Sequence, residues 1–224
     1  MKKICCISDL HGVLVEVPDC DIVVIAGDVC PSYNHSIRFQ QRWLEEDFNP
    51  WLEMLPCDKV VGIAGNNDWI FEKEPDKVPE LDWIYLKDSK AIVEGIRFYG
   101  TPWTPFFCDW AFNLRAPCDE ACKYSIIPED TEVLITHGPP YGILDKVEGE
   151  HKHLGSKPLK KKINTLKNLK LSVFGHIHSA HGKDVKKDTI FINASVLDEQ
   201  YENSYKPIIV EIEEDASGRG EDNE

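Results

Sequence analysis

Seven side chains with metal-binding chemistry occur in short motifs along the sequence. They are two aspartates, one asparagine and four histidines, namely Asp9, His11, Asp28, Asn66, His137, His176 and His178. The set joins carboxylate, amide and imidazole donors without a thiolate, so it suits Mn²⁺, Fe, Zn²⁺, Mg²⁺ or Ni²⁺ and argues against a structural thiolate zinc site. Residues two apart in an extended segment project to the same side, so two of the motifs are expected to act as pairs.

The mixture of donors also predicts a particular chemistry. One carboxylate that bridges two ions about 4 Å apart is the arrangement that activates a water molecule and binds a phosphate. Asp28 lies centrally in the pattern and is our candidate for the bridge. A lone Asp-x-His or His-x-His is usually a capping or loop feature, but five motifs in the same position relative to five apolar stretches are hard to explain as caps.

Each motif follows a short, β-branched apolar stretch, a pattern typical of buried strands. We predict inner strands at residues 3–8, 21–26, 59–64, 132–136 and 171–175, and further strands at 91–94, 97–99, 189–193 and 208–212. Ligand sites of α/β sheets lie beyond the carboxyl ends of the strands. The five motifs are therefore expected to converge on one crevice.

Helical patterns lie between the strands. Apolar residues from Ile37 to Leu55 can share one helix face, with Pro50 bending or splitting that helix. Leucine and isoleucine recur every three or four residues from Leu159 to Leu169, which predicts an amphipathic helix. No repeat or linker interrupts the pattern, so we predict one α/β domain at 1–213 and an acidic, disordered tail at 214–224.

Composition and charge exclude some classes of function and indicate a cellular compartment. The chain has 224 residues and a formal net charge of −14, which excludes a general DNA- or RNA-coating role. Eight cysteines form no CxxC pair, and no stretch of about 18 apolar residues could cross a membrane. We therefore expect a reduced, cytoplasmic protein that binds neither long nucleic acids nor membranes. Its oligomeric state is left open.

The combined motifs resemble those of the calcineurin-like metallophosphoesterase superfamily, whose pattern is D-x-H, G-D, G-N-H-D/E, G-H and G-H-x-H. The likeness covers residues 4 to about 212, and it rests on Asp9, His11, Asp28, Asn66, Asp68, His137, His176 and His178. It implies an α/β fold of the calcineurin-like metallophosphoesterase type. That fold is a β-sandwich flanked by helices, in four layers with the order αββα.

The resemblance also implies how the ligands divide between two divalent ions, with Mn²⁺ as our first expectation. One ion would take Asp9, His11, Asp28 and His178. The other would take Asp28, Asn66, His137 and His176. A hydroxide that bridges the ions would attack phosphorus, and the residues given catalytic roles are Asp28, Asn66, Asn67, Asp68 and His178.

Segments 100–105, 110–113, 136–140 and 192–195 further resemble the metallophosphoesterase-domain-containing (MPPED) group. This group is associated with cyclic-nucleotide phosphodiester hydrolysis. The likeness implies a phosphodiesterase for cyclic nucleotides or similar small phosphodiesters. A phosphomonoesterase or protein phosphatase of the same fold stays open as an alternative, as does a catalytically weak metal-binding scaffold module.

One position departs from the family pattern. Asn67 stands where the family has a histidine that protonates the leaving oxygen or contacts the scissile phosphate, and that Asp68 would orient. An amide cannot give up a proton, so Asn67 can at most hydrogen-bond the phosphate. General-acid help is worth about 10²–10⁴-fold. We therefore expect a preference for phosphodiesters with good leaving groups, or strained cyclic ones, over simple monoesters.

Two other features carry expectations of their own. Four aromatic side chains crowd a proline-bounded loop, namely Trp103, Phe106, Phe107 and Trp110. They could stack a nucleobase, but we favour a loop plug that packs on the domain. A second His-x-His pair, His151 and His153, follows no strand and lies between glycines, so we expect it in a solvated loop.

Overall fold

Apolar, β-branched stretches form the strands of two large sheets and one short pair. The computed structural model describes residues 1–213, so the predicted tail at 214–224 lies outside the described residues. Each predicted strand overlaps one in the structure. In chain order the strands are β1 (Lys2–Ile7), β2 (Ile22–Ala26), β3 (Lys59–Ile63), β4 (Ile84–Tyr85), β5 (Ser89–Val93), β6 (Ile96–Thr101), β7 (Thr104–Pro105), β8 (Asn113–Leu114), β9 (Val133–Thr136), β10 (Leu171–Phe174), β11 (Gly182–Lys186), β12 (Thr189–Asn193) and β13 (Ile208–Ile212).

The strand order brings the predicted motifs together at one edge of each large sheet. The first sheet has the order β13-β1-β2-β3-β4, and the second has the order β11-β12-β10-β9-β6-β5. Strands β1 to β4 run parallel in the first sheet, as do β6, β9, β10 and β12 in the second. A bridge between Ser8 and Ser195 links the segments that follow β1 and β12. The carboxyl ends of the two sheets therefore meet.

Short helices connect the strands. They are α1 (Ile37–Trp43), α2 (Asn49–Glu53), α3 (Trp69–Lys73), α4 (Pro117–Ser125) and α5 (Lys157–Ile163), with a π turn at Leu44–Phe48 between α1 and α2 and 3₁₀ turns at Pro75–Lys77 and His178–Ala180. The interruption between α1 and α2 begins before Pro50, which falls in the first turn of α2. The helical hydrogen-bond pattern is therefore already irregular before Pro50, which has no N–H to donate.

The predicted helix that includes Leu159 is shorter than its apolar stripe. Helix α5 ends at Ile163, and Thr165 bonds a carbonyl of the last helical turn through its hydroxyl. Short polar side chains that compete for backbone hydrogen bonds disfavour further helix. Leu166 and Leu169 lie beyond the helix and are nevertheless buried. The stripe therefore predicts burial correctly and overestimates the length of the helix.

Three apolar cores separate four layers. Residues of β1 alternate, so that Ile4 and Cys6 face the core between the two sheets, whereas Cys5 and Ile7 face the segment from α1 to α3. On the far side of the second sheet, α4 and α5 pack on β9, β10 and β12. This αββα arrangement confirms the predicted β-sandwich flanked by helices. No helix in residues 1–213 has the length and apolar character needed to cross a bilayer.

Candidate metal centre

The predicted ligands converge where the two sheets meet. Those that follow strands of the first sheet are Asp9 and His11 after β1, Asp28 after β2, and Asn66 after β3. Those that follow strands of the second sheet are His137 after β9, and His176 and His178 after β10. Several of these residues line a cavity of about 670 Å³. The expected convergence on one crevice is present in the structure.

The turns that carry the ligands are conformationally strained. Asp9, His11, Asp28 and His176 have φ values of 54°, 43°, 53° and 68°, in the left-handed region that non-glycine residues seldom occupy. Such backbone persists where the surroundings enforce it, and it is concentrated at functional sites. Here the left-handed backbone directs four side chains from the ends of strands into one small space.

Asp9 is held by donors from two other segments. Its carboxylate accepts the backbone N–H of His176 at 3.1 and 2.9 Å and the hydroxyl of Ser195 at 2.5 Å. His178 Nε2 lies 3.6 Å from Asp9 Oδ1. The carboxylate is fully buried. Asp9 therefore joins the end of β1 to the segments that follow β10 and β12.

Asp28 occupies the middle of the cluster, as the sequence predicts. Its Oδ2 atom lies 3.5 Å from His11 Nε2 and 3.4 Å from His137 Nε2. Its Oδ1 atom accepts the backbone N–H of Asn67 at 2.6 Å. One carboxylate oxygen thus faces imidazoles from both sheets, while the other is fixed by the backbone.

Backbone carbonyls fix the tautomers of two histidines. Nδ1 of His137 donates to the carbonyl of Ala26, and Nδ1 of His178 donates to that of Asp198, each at 2.9 Å. The Nε2 atoms then carry lone pairs directed at carboxylate oxygens, and His137 Nε2 also lies 2.8 Å from Asn66 Oδ1. Lone pairs facing each other repel unless a cation or proton lies between them. The donor set therefore fits divalent cations, with the second bonds of a metal-binding histidine already in place.

His11 supports the same conclusion. Neither of its ring nitrogens has a hydrogen-bond partner in residues 1–213, although both are buried. An unpartnered buried nitrogen is costly, and a metal ion would supply the missing interaction. Two groups bring ligand atoms within 4.8 Å of one another: Asp9, His11 and His178, and Asp9, Asp28 and His137.

The buried carboxylates dominate the electrostatics of the cluster. Burial lowers the pKa of His137, but the nearby Asp28 raises it to about 9. For His178, burial lowers the pKa, and the nearby carboxylate of Asp9 raises it to about 9. Burial and the adjacent His137 lower the pKa of His176 to about 4. The two aspartates thus attract positive charge, which bound cations would supply.

The side chains of Asn67 and Asp68 both bond to backbone groups of the segment that follows Asp28. Asn67 Nδ2 donates to the carbonyl of Cys30 at 2.6 Å, and its Oδ1 atom is buried without a partner in residues 1–213. Because a carbonyl can only accept, the amide nitrogen must face it, and this bond uses one of the two N–H groups of the amide. An ionised phosphate offers acceptors only. The expectation that Asn67 hydrogen-bonds the phosphate therefore stays a prediction, in which the second N–H group would be the donor.

Asp68 orders backbone rather than the side chain of its neighbour. Its carboxylate accepts the N–H groups of Val29, Cys30 and Gly65 at 3.1, 2.8 and 2.7 Å. Burial and the charge of Asp28 raise the pKa of Asp68 to about 7, against the lowering effect of these bonds. Asp68 thus holds the turn after β2, which contains Asp28, against the turn after β3, which contains Asn66.

An aromatic wall flanks the ligands. Phe106, Phe107 and Trp110 line the cavity, and Phe106 and Phe107 are exposed. The Phe107 ring lies 6.5 Å from that of His176. Trp103 instead donates its indole N–H to Asp88 at 2.9 Å and packs on Phe112. Trp103 thus packs on the domain, as expected for a loop plug, whereas the exposed rings of Phe106 and Phe107 face the cavity.

Three residues near the ligands were not predicted as site residues from the sequence. Tyr201 packs against His11 and His178, with ring centroids 4.9 and 5.3 Å apart. Ser195 and Asp198 contact Asp9 and His178 as described above. All three residues follow β12. No motif marks Asp198 or Tyr201, whereas Ser195 ends the segment 192–195 that carries part of the family resemblance.

His153 lies in a loop, as expected, and its side chain is 33% exposed. Its Nδ1 atom donates to Asp145 Oδ1 at 2.6 Å, and its side chain lines the cavity that holds the ligands. His151 is exposed and does not line that cavity. The two histidines therefore have different surroundings despite their shared motif.

Residues 2–180 match the model of the calcineurin-like phosphoesterase family. The chain belongs to that family. It is 32% identical over 237 aligned residues to metallophosphoesterase domain-containing protein 1 of Homo sapiens, with 92% of this chain and 70% of that protein covered. These findings confirm the predicted relation to the calcineurin-like family and to its metallophosphoesterase-domain-containing group.

Solved structures agree on the fold of this phosphoesterase. Phosphopantetheinyl hydrolase from Mycobacterium tuberculosis superposes with a TM-score of 0.53 at 16% identity, covering 89% of this chain and 90% of that chain. A putative 5′-nucleotidase from Staphylococcus aureus gives 0.51 at 14% identity, covering 85% and 48%. The calcineurin-like fold is thus confirmed. Membership of the family implies divalent metal ions and metal-dependent phosphoesterase activity.

Proposed function

We propose that this phosphoesterase is a dinuclear metal-dependent phosphodiesterase for small phosphodiesters, including cyclic nucleotides. The observation that carries the proposal is the pair of buried carboxylates, Asp9 and Asp28, faced by imidazole nitrogens at the base of a cavity with an aromatic wall. In this proposal one ion takes Asp9, His11, Asp28 and His178. The other takes Asp28, Asn66, His137 and His176.

The donor set favours Mn²⁺, with Fe, Zn²⁺, Mg²⁺ and Ni²⁺ as alternatives. When bound, two such ions lower the pKa of a water molecule and neutralise charge on phosphoryl oxygens. The protein residues orient this chemistry: Asp28 faces histidines from both sheets, and Ser195 fixes Asp9. His137 and His178 are held in the ligating tautomer by backbone carbonyls.

The surroundings of Asn67 favour a diester over a monoester. The family histidine can give up a proton beside the phosphate, whereas Asn67 cannot, and one of its two N–H groups already bonds the carbonyl of Cys30. A monoester carries more negative charge than a diester and would need more donors. The exposed rings of Phe106 and Phe107 offer a surface for the second ester group, such as a nucleobase.

Rates for two nitrophenyl esters test this proposal. We expect the Mn²⁺-loaded protein to hydrolyse bis-p-nitrophenyl phosphate faster than p-nitrophenyl phosphate. Asp28→Asn should abolish both the bound metal and the activity, whereas Asp19→Asn, at an exposed position, should change neither. A clear preference for the monoester would favour a phosphomonoesterase or protein phosphatase. Metal binding without turnover of either ester would favour a scaffold module.

The substrate class requires a second measurement. A panel of 2′,3′- and 3′,5′-cyclic nucleotides, assayed with the metal-loaded protein, should contain at least one substrate. Long nucleic acids should not be bound, because the chain carries a net charge of −14. We also propose a cytoplasmic location, since all eight cysteines are free.

A further inference from the structure

A second histidine–carboxylate pair lies on the wall of the same cavity. His153 Nδ1 donates to Asp145 Oδ1 at 2.6 Å. The opposite ring nitrogen, Nε2, is therefore directed away from Asp145, and it has no hydrogen-bond partner in residues 1–213. Among the described residues, His153 is the one histidine of the cavity lining that is not a proposed metal ligand.

Asp145 is well suited to orient an imidazole. Its side chain is 1% exposed, and its other oxygen accepts the backbone N–H groups of Gly142 and Gly155 at 2.9 and 3.0 Å. The Tyr141 ring packs on His153 with centroids 5.1 Å apart. A buried carboxylate that receives Nδ1–H fixes the tautomer and the ring direction. The loop from 145 to 155 is thus built to hold one histidine in place.

The cavity otherwise lacks the proton donor that the family motif would supply. Asn67 cannot give up a proton, and its side chain bonds the carbonyl of Cys30. An ester with a poor leaving group still requires protonation of the leaving oxygen as its bond to phosphorus breaks. An imidazole can donate this proton. His153 lines the cavity from a different loop than Asn67, which stands at the position of the family histidine.

We propose that His153, positioned by Asp145, is the general acid that protonates the leaving group. This inference rests on the proposed phosphodiesterase function. Hydroxide attacks phosphorus, the bond from phosphorus to the leaving oxygen breaks, and its electron pair remains on that oxygen. The proton of His153 Nε2 passes to the oxygen, and water returns a proton to the imidazole. Asp145 is a positioning residue that does not itself lose or gain a proton.

Leaving-group dependence tests the assignment. Methyl p-nitrophenyl phosphate and methyl phenyl phosphate differ in how readily the phenolate departs. For His153→Gln, we expect kcat/KM on the phenyl ester to fall by about 10²-fold or more, and on the nitrophenyl ester by less than about tenfold. His151→Gln is the matched control in the same loop and should behave like wild type. Metal content and Tm report whether the variants are folded and loaded.

Asp145→Asn and Tyr201→Phe complete the experiment. Asp145→Asn should show the same selective loss on the phenyl ester, because the imidazole is present but misdirected. Equal losses on both esters in His153→Gln, or no loss, would overturn the role of His153, as would the selective loss appearing in Tyr201→Phe instead. If the metal-loaded wild type hydrolyses neither diester nor any cyclic nucleotide, the proposed function fails first, and this inference with it.

Discussion

At the scale of single residues, several proposed ligands are oriented by hydrogen-bond partners outside the set of ligating atoms. Asp9 accepts the backbone N–H of His176, which is shared between both carboxylate oxygens, and a short bond from the Ser195 hydroxyl. His178 is aligned by the carbonyl of Asp198. Such partners set the direction of the ligating atom and its basicity. Ser195 is therefore expected to matter for metal binding although it is not a proposed ligand.

Removal of the Ser195 hydroxyl tests that expectation. Ser195→Ala should weaken metal binding by about 10–100-fold, because Asp9 loses one of the donors that orient it. The measurement is a metal titration followed by calorimetry. Ser125→Ala serves as the control, since Ser125 is exposed and its hydroxyl donates to the carbonyl of Cys122, away from the ligands. Unchanged affinity in Ser195→Ala would mean that the backbone bonds alone position Asp9.

Phe107 allows a separate test of substrate contact. It is 62% exposed and lines the cavity beside His176. Stacking of a base on an aromatic ring is worth about 1–3 kcal/mol, so Phe107→Ala should raise KM for a cyclic nucleotide by roughly 5- to 100-fold. KM for methyl p-nitrophenyl phosphate, which has no base, should change much less. An equal rise for both substrates would argue against base stacking.

At the scale of elements, the turns after the strands determine how closely the ligands approach. Left-handed backbone at Asp9, Asp28 and His176 costs about 1–3 kcal/mol per residue. The parallel pairing of β1 with β2, and of β9 with β10, holds these turns side by side. A glycine precedes His176 because the turn after β10 passes directly against Asp9.

Gly175→Ala tests this close approach. A Cβ atom at Gly175 would overlap Asp9 Oδ2 and the Ser8 side chain, so the variant should lose most of its metal affinity. Gly95→Ala is the contrasting variant: it has open space but a left-handed φ of 77°, so it should lose about 1 kcal/mol of stability without losing metal. Metal content and denaturant unfolding distinguish the two effects. Retained metal in Gly175→Ala would show that Asp9 can shift without consequence.

At the scale of the whole molecule, the candidate centre joins two sheets that otherwise meet mainly through an apolar core. The first sheet contributes the ligands that follow β1, β2 and β3, and the second contributes those that follow β9 and β10. Ions bound between them would act as cross-links present only in the folded protein. Binding to the folded state alone adds stability by mass action.

Metal removal should therefore lower Tm. An ion at 100 times its Kd adds about 2.7 kcal/mol, and 1 kcal/mol moves Tm by about 2–4 °C at this size, so chelation of two ions should lower Tm by roughly 10 °C or more. Scanning calorimetry of Mn²⁺-loaded and chelator-treated protein measures the shift. The same treatment of Asp28→Asn should produce almost none. Identical Tm values in the wild type would contradict a two-ion site.

The sequence by itself determined the strands, the family and the convergence of Asp9, Asp28 and the other proposed ligands, because each motif is local and directly follows an apolar stretch. Tertiary structure decided the rest. Asn67 donates one N–H to the carbonyl of Cys30, 37 residues away in the chain. His153 lines the cavity because buried Asp145 binds it. Contacts between separate loops leave no periodicity in the sequence, so only the folded chain shows which side chain is free to meet a substrate.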